Sequence, residues 1–513
     1  MGMTERPNRW EWAAAGAAAA VLLVLGLTHA GAPSLWHDEL VHVFVAKTLI
    51  DTGVAALPSG APYPSGFLYH YALAGWMLVF GDGEAAVRSL SAVFMALSVL
   101  VLWRLARRLL DTPTALVAAW AFALSPWTVA WARQSRFYAL MLLIFLLFLT
   151  AVWQAMAAQQ RRGQVRWVAV SALLFGAGLA TALHSVLFLA PVAAFAACRG
   201  LLDGPRRGQW LVAGVALGVA GLAVVGLYAL TLPPIDREAI FGGSLTSMLE
   251  NPARDHDRET VWYYFRWLND NLGLGFLLLM PLGAAWMAMR EGWRGLFMAM
   301  AFWAPMFVLS FVIGYRWDRF LFFAYPLGVA CWAYALVRLV EIVPLCRRSV
   351  GHAALSIIIL MFLFRLSASA ADLAANTLEV AKGADITLAR RHPQWREPCR
   401  WVREHAGDGV IISTTWLPTK YYVGRCDNWY PSRLMPGEVQ ESGLEGLSDV
   451  EDLAAFVAEH PKGMFLAEYF RFNRWERHAY AEDVAWVETH LRAHPEAASL
   501  DVRVYSWGYD EFD

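Results

Sequence analysis

The stretch LARRLLDTPTALVAAWAFALSPWTVAWARQSRFYAL, residues 105–140, decides the fold. Its middle, residues 114–132, carries no charged side chain, while Arg107 and Arg108 precede it and Arg133 and Arg136 follow it. About 20 apolar residues in a helix cross the ~30 Å hydrocarbon of a bilayer. The stretch therefore reads as a membrane span with a basic cluster at one mouth and a second pair of arginines at the other.

Working outward, apolar blocks of similar length recur at about 12–30, 84–104, 114–132, 137–157, 167–183, 184–199, 210–231, 271–289, 296–314, 319–340 and 352–371. These eleven candidate spans account for a chain of 513 residues that is 58% hydrophobic and only 17% charged. Its mean hydropathy is +0.41. A soluble protein of this length carries more charge. The net charge of −1 gives no electrostatic reason for a nucleic-acid partner. The fifth and sixth spans nearly touch at His184, and their separation is the least defined.

Basic residues collect in every second connection: Arg104, Arg107 and Arg108; Arg161, Arg162 and Arg166; Arg199, Arg206 and Arg207; Arg290 and Arg294; Arg347 and Arg348. The positive-inside rule makes that side cytoplasmic. Arg6 and Arg9 put the N-terminus there too, and an odd span count then places the C-terminal segment outside the cytoplasm. A multi-pass protein of the bacterial inner (plasma) membrane is expected. Arg9 followed by an alanine-rich apolar run also resembles a secretory signal. A retained first helix is preferred, because it keeps the following loop tied to the membrane.

Residues 1–371 thus form a membrane part, with two longer outer loops at 31–83 and 232–270 that mix Pro, Gly and aromatic residues. Such aromatic rings settle at the headgroup level, so short interfacial helices are expected. Residues 372–513 lose the long apolar runs. GVIIST and GMFLAE read as buried strands, LDVRVYSW as a late alternating strand, and PCRWVREHA and DLAAFVAEH as helices. The alternation predicts a small α/β domain with an open sheet covered by helices. Cys399 and Cys426 fall in this outer part, where oxidising conditions permit a disulfide. The other reading of the pair is two buried free thiols.

Chemistry is concentrated in SLWHDELVHVFVAK, residues 34–47, directly after the first span. If this segment is helical, Asp38 and His42 share a face, and Asp38 and Glu39 sit in its first turn, where the helix dipole favours anions. A plain reading is helix capping. The same loop, however, also holds Tyr63, His70 and Tyr71, and other charged groups fall at the same level. Arg133 and Arg136 are three apart at the outer end of the third span, as are Arg316 and Arg319 between the ninth and tenth. Each pair is expected to project from neighbouring helical positions. His184 lies at the outer turn between spans five and six. Arginines hold phosphate by bidentate hydrogen bonds, and a carboxylate takes a proton from an attacking hydroxyl. A lipid-tailed, phosphate-bearing substrate with a transferable group suits such a cavity.

These pieces resemble the GT-C glycosyltransferases that use lipid-linked sugars, and most closely the protein O-mannosyltransferase and lipid A aminoarabinose transferase branch. The resemblance is carried, in order, by WHDE (36–39), GDGEAAVRSLSAVF (81–94), residues 105–140 and RFLFFAYP (319–326). It implies a GT-C membrane domain with an outer C-terminal domain, and a transferase that takes a sugar from a polyprenyl-phosphate donor to a lipid, glycan or protein acceptor by inverting single displacement. By the same resemblance Asp38 is the catalytic base with Glu39 beside it. The resemblance places Arg133, Arg136, Tyr138 and Arg319 at the donor phosphate; by their level in the chain, Arg316 is grouped with them and His42, Tyr63, His70 and His184 with the substrates. The first loop departs from its relatives: YPSGFLYHY, residues 63–71, breaks a proline pair common there and puts the histidine at His70. Some relatives bind a divalent cation. Asp38, His42, His70, Asp255, His256 and Asp257 could supply ligands, without an ordered ligand spacing, so the metal is left open. The competing class is a transporter or flippase of an anionic lipid. It should place ionisable residues near the midplane and often shows internal repetition, and neither feature is found.

Overall fold

A computed structural model describes residues 7–63, 65–202, 260–314, 316–342, 393–430, 442–468, 481–499 and 501–510, with isolated positions between 221 and 230. The chain runs through α1 (Arg9–Leu27), α2 (His37–Thr52), α3 (Phe67–Phe80), α4 (Glu84–Leu109), α5 (Thr112–Leu124), α6 (Pro126–Ala132), α7 (Tyr138–Ala157) and α8 (Arg161–Thr181). A 3-10 turn, Leu183–Phe188, leads into α9 (Leu189–Leu202). Then come α10 (Tyr263–Leu272), α11 (Leu274–Arg290), α12 (Trp293–Phe311), α13 (Asp318–Leu321) and α14 (Tyr325–Ile342). Among the described residues seven helices are long and apolar enough to cross a bilayer, or nine if each of two bent pairs counts as one span. These nine match nine of the expected spans. The span expected at 210–231, apart from those isolated positions, and the span at 352–371 lie outside the described residues, as does most of the loop expected at 232–270.

Two breaks reshape the expected spans. Pro126 holds the residue before it out of the α-helical region, so Ser125 is extended at φ −65°, ψ 128°. The third span is consequently two helices, α5 and α6, bent by 59°. Ala182 is extended at φ −162°, ψ 140° and separates the fifth span from the sixth just before His184. α10 meets α11 at 117°, so it lies across the end of its span, as an interfacial helix would.

Close packing of small residues brings α1 against α4. α1 buries Ala15, Ala18, Ala19, Leu22 and Gly26 along one side, and a Cβ at Gly26 would come within 2.9 Å of Ala92. Small residues let membrane helices approach in this way. Among the described residues, the starts of α1 and α5 and the ends of α4, α11 and α14 meet at one end of the bundle. Arg107 in the last turn of α4 bonds Glu11 in the first turn of α1 at 2.5 Å. Arg338 near the end of α14 pairs with Asp111, Glu291 and Glu341. The loop holding Trp36 to Glu39 is at the other end.

The C-terminal part contains α15 (Arg396–His405), β1 (Val410–Ser413), α16 (Trp416–Tyr422), β2 (Asn428–Trp429), β3 (Glu445–Gly446), α17 (Val450–Glu459), β4 (Gly463–Glu468), α18 (Ala481–His490), β5 (Arg492–Ala493) and β6 (Val502–Trp507). The strands form one sheet in the order β3-β2-β1-β4-β6-β5. β3, β2, β1 and β4 are parallel, and β6 runs antiparallel to β4 and β5. Successive residues of a strand point to opposite faces. Ile411, Met464, Leu466 and Val504 therefore pack with Cys399 and Val402 of α15, and Ile412, Phe465 and Tyr505 with Leu453 of α17 and Val487 of α18. The expected strands and helices are present. We propose the boundary of this domain near residue 371, which lies outside the described residues.

The disulfide expectation is corrected. Cys399 and Cys426 are free thiols. Cys399 points from α15 into the sheet, and the Cys426 Sγ is turned to the Asn428 carbonyl at 3.4 Å.

Candidate active site

α2 begins where the extended Trp36 hands over to His37, so Asp38 and Glu39 occupy its first turn and His42 lies one turn on from Asp38, as expected. The two adjacent acids have opposite fates. Glu39 is 1% exposed at its side chain, and Asp38 is 30% exposed.

Both oxygens of Glu39 are taken. Arg88 donates Nε to Oε1 at 2.8 Å and Nη2 to Oε2 at 2.7 Å. The Ser135 N–H donates to Oε1 at 2.8 Å and the Trp36 N–H to Oε2 at 3.0 Å. A carboxylate saturated by four donors and shut from solvent cannot reach an acceptor hydroxyl. The expectation that Glu39 is catalytic is therefore corrected: it locks the start of α2 to α4 and to the α6–α7 turn. Arg88 was missed in the sequence, although GDGEAAVRSLSAVF shows it. A charged residue in an apolar span needs a buried partner, and Glu39 is that partner.

Asp38 faces two guanidiniums instead. Arg136 Nη2 lies 2.9 Å and Arg319 Nη1 3.7 Å from the same oxygen, Oδ2. Burial pushes the Asp38 carboxyl up, but Arg136, Arg319, His37 and His42 together outweigh it and bring it down to about 2. Arg136 is framed by the rings of Trp36, Trp131 and Tyr138, at 5.6, 5.8 and 5.0 Å from its guanidinium carbon. Its Nε is buried and has no hydrogen-bond partner. Arg319 lies over Trp317 at 4.6 Å. His184 stacks on Phe320 at 4.2 Å, which brings it beside Arg319.

The arginine pairs do not project together, which corrects a second expectation. Helix α6 ends at Ala132 and α7 starts at Tyr138, so Arg133 and Arg136 lie in a non-helical turn and diverge. Arg133 donates to the carbonyls of Leu25 (2.8 Å) and Thr28 at the end of α1. Arg316 precedes α13 and donates to the Ser310 carbonyl at 2.9 Å and the Gly314 carbonyl at 3.4 Å, near the end of α12. Each satisfies orphan helix carbonyls. Arg133 and Arg316 thus hold helix ends, and Arg136 and Arg319 meet Asp38.

Behind Asp38 lies a buried imidazole pair. His42 Nδ1 and His70 Nε2 are 2.8 Å apart. Tyr63, Tyr69 and Phe137 surround His42 with ring centroids at 6.1, 5.5 and 5.5 Å. Burial, then His70 and Arg136, hold His42 well below its ordinary value, against a smaller opposite pull from Asp38. Burial lowers His70 to about 3. Both rings are neutral at neutral pH, so one donates and the other accepts. Gly66 permits this approach. Its φ is +90°, and a Cβ there would lie 3.1 Å from His42 Cε1 and 3.4 Å from His70 Nε2. Tyr69, also missed in the sequence, bonds the Ser135 and Ser91 hydroxyls at 3.1 and 3.4 Å.

The residues near Asp38 do not fit a divalent cation. Asp38 is engaged by guanidiniums, and each imidazole uses one nitrogen on the other. Among the described residues no three His, Cys, Asp or Glu side chains group as a metal site. Asp255, His256 and Asp257 lie outside the described residues.

Comparison with known proteins adds two findings. Residues 64–228, about a third of the chain, match the family described as dolichyl-phosphate-mannose-protein mannosyltransferase. No curated protein sequence matches. Among solved structures the chain is similar to ArnT from Cupriavidus metallidurans, with a TM-score of 0.65, 14% identity and coverage of 96% of this chain and 97% of that one. ArnT bound to undecaprenyl phosphate gives a TM-score of 0.63 at 12% identity, covering 97% and 98%. The oligosaccharyltransferase AglB from Archaeoglobus fulgidus, in complex with an inhibitory peptide and a dolichol-phosphate, gives 0.62 at 12% identity, covering 98% and 74%. The helix order, the acidic turn after α1 and the C-terminal α/β part together give this chain the GT-C fold of multi-pass membrane glycosyltransferases.

Proposed function

We propose that the protein is an integral membrane glycosyltransferase that moves a sugar from a polyprenyl-phosphate-linked donor to a hydroxyl of an extracytoplasmic lipid, glycan or protein. The observation that carries this reading is the contrast within one dipeptide: Glu39 is fully buried and saturated, while Asp38 is partly exposed and shares its Oδ2 with Arg136 and Arg319. A base beside two guanidiniums suits attack next to a phosphate. The likeness to structures described with undecaprenyl phosphate and dolichol-phosphate supports the same donor class.

In this mechanism the acceptor oxygen attacks the anomeric carbon as the bond from that carbon to the phosphate oxygen breaks. The hydroxyl proton passes to the Asp38 carboxylate. The polyprenyl phosphate leaves with the bonding electrons, and Arg136 and Arg319 stabilise the growing negative charge. One displacement inverts the anomeric centre. Arg136 Nε and the His184 Nε2 are buried polar atoms without partners, and each would gain one from the phosphate or the sugar. We read the transferred group as a hexosyl or pentosyl unit. Arginines at one end of the bundle support a cytoplasmic N-terminus and a C-terminal domain on the outer face of the bacterial plasma membrane. Nothing favours the transporter reading, because the charges that meet lie at span ends.

The test is transfer of labelled sugar from polyprenyl-phosphate donors to envelope lipids, glycans and proteins by the purified protein in detergent. Undecaprenyl phosphate should be released in step with transfer. No transfer from any polyprenyl-phosphate hexose or pentose would overturn the reading.

A further inference from the structure

The segment leading into the Asp38 turn, residues 30–35, is gripped from two sides. From the bundle, Arg88 donates to the carbonyls of Ala30 (2.7 Å), Pro33 (2.8 Å) and Ser34 (3.0 Å). From the other side the grip comes entirely from the C-terminal part of the chain. The Gln394 Oε1 accepts the Ser34 N–H at 3.0 Å, and the Ser34 Oγ accepts the N–H groups of Trp395 and Arg396 at 3.0 and 3.1 Å. The Tyr422 hydroxyl accepts the Leu35 N–H at 2.7 Å and donates to Glu84 at 2.6 Å. Arg396 donates Nη2 to the Gly31 carbonyl at 2.6 Å and Nε to Glu84 at 3.1 Å.

These contacts are not surface decoration. Ser34 is 1% and Gln394 8% exposed. A buried backbone N–H left without a partner costs about as much as a lost hydrogen bond, so the N–H groups of Ser34 and Leu35 need the C-terminal side chains. The same face continues along α2, where Trp416 of α16 stacks on Phe44 with centroids 6.5 Å apart and Lys47 lies over Tyr421 at 5.1 Å. Only Trp36 and His37 separate Leu35 from Asp38, and the first turn of α2 transmits any shift of that segment to the carboxylate.

We infer that the C-terminal domain positions the base: Tyr422 and Arg396 are positioning residues that fix residues 30–35 so that Asp38 meets the acceptor hydroxyl. This rests on the reading of Asp38 as the base. Tyr422 and Arg396 bond residues 30–35 and Glu84, whereas the donor phosphate is assigned to Arg136 and Arg319, so binding of the donor is expected not to need them. A misplacement on the order of 1 Å at a reacting group costs roughly 10²-fold in rate, and loosening one of two grips should cost less, about tenfold.

The experiment uses the full chain in detergent. Functional sites are counted by titration with undecaprenyl phosphate, read from the fluorescence of the tryptophans around Arg136 and Arg319. Turnover is then expressed per titrated site, which removes any loss due to unfolded protein. Tyr422→Phe and Arg396→Ala should each lower kcat per site about tenfold at an unchanged donor KM, and Arg396→Lys should recover most of the loss. Should Arg396→Ala fail to fold, Tyr422→Phe and Ser34→Ala decide by the same measure, since each removes two hydrogen bonds with little change of shape. Wild-type kcat per site in these variants overturns the inference, and so does a loss explained by fewer titrated sites. Asp38→Asn run alongside separates the two readings. Full activity there sinks the base. An inactive Asp38→Asn beside a fully active Tyr422→Phe sinks only the positioning role.

Discussion

Arg136 reaches Asp38 from the turn between α6 and α7, and its Nη2 lies 2.9 Å from the Asp38 Oδ2. Arg133, three residues earlier, instead caps the end of α1. One turn of chain therefore supplies one arginine to the site and one to the scaffold. The backbone decides which, because Pro126 bends the span and the helix stops at Ala132.

Asp38→Asn keeps the size of the side chain and most of its hydrogen bonding but removes the proton acceptor. Its turnover should fall about 10²-fold or more, with undecaprenyl phosphate still binding. A simple helix cap would work as well with Asn. Comparable turnover by mutant and wild type in the labelled-sugar assay would leave Asp38 as a structural acid in the first turn of α2.

Arg133 and Arg136 should separate cleanly in two measurements. Arg136→Ala should weaken undecaprenyl phosphate binding roughly 10- to 100-fold, the worth of a hydrogen bond between charged groups. Arg133→Ala should bind the lipid normally but melt lower, because the carbonyls of Leu25 and Thr28 lose a donor at about 1–3 kcal/mol. A binding defect in Arg133→Ala equal to that of Arg136→Ala would contradict the assignment.

The pH dependence follows from the direction of the Asp38 shift. Its carboxyl is lowered to about 2, so it is charged and able to accept a proton throughout the range above that. The stability its ion pairs give is present above the ordinary carboxylate value and lost as pH falls through about 2. The acid limb of kcat/KM should accordingly not be Asp38 in the wild type. Arg136→Ala removes the largest lowering influence and leaves burial, which raises the carboxyl. An acid limb should then enter the measured range, displaced upward relative to wild type. Identical pH profiles for the two proteins would exclude the coupling.

Glu39 should matter for folding more than for chemistry. Breaking a buried pair by removing one charge costs about 3–5 kcal/mol, so Glu39→Gln should melt well below both wild type and Asp38→Asn. Adding Arg88→Gln should recover part of that loss by removing the stranded guanidinium. Glu39→Gln with unchanged melting and lost turnover would restore it to the chemistry.

Much of this was legible in the sequence because it depends on period and length. Nine spans, the strands at GVIIST, GMFLAE and LDVRVYSW, and the shared face of Asp38 and His42 on a helix all follow from local pattern. What was not legible depends on partners far away in the chain. Asp38 and Glu39 are equivalent in sequence, and only Arg88 on α4 and the Ser135 N–H decide which one is buried. A spacing of three implied a shared helical face for Arg133 and Arg136, and the chain leaves the helix between them. Cys399 and Cys426 share a compartment, but the Cys426 thiol is turned to a carbonyl. SPW, residues 125–127, and the charge inside GDGEAAVRSLSAVF were the two signals that could have corrected the reading.

Gly66 and Gly53 form a matched pair for testing the imidazole packing behind Asp38. Both have positive φ, +90° and +77°, so alanine at either is strained by roughly 1–2 kcal/mol. They differ in what a side chain would meet. A Cβ at Gly53 has nothing within 4 Å, whereas one at Gly66 presses on His42 Cε1 at 3.1 Å and on the His42–His70 hydrogen bond itself. His42 is one turn from Asp38 on α2, so displacing its ring should move the base as well as strain the backbone. Gly53→Ala should therefore lose stability alone. Gly66→Ala should lose more stability and, per lipid-binding site, several-fold in turnover. Thermal melting and turnover per titrated site measure both effects. A Gly66→Ala protein no less stable and no slower than Gly53→Ala would mean that the pair yields freely and does not hold Asp38 in place.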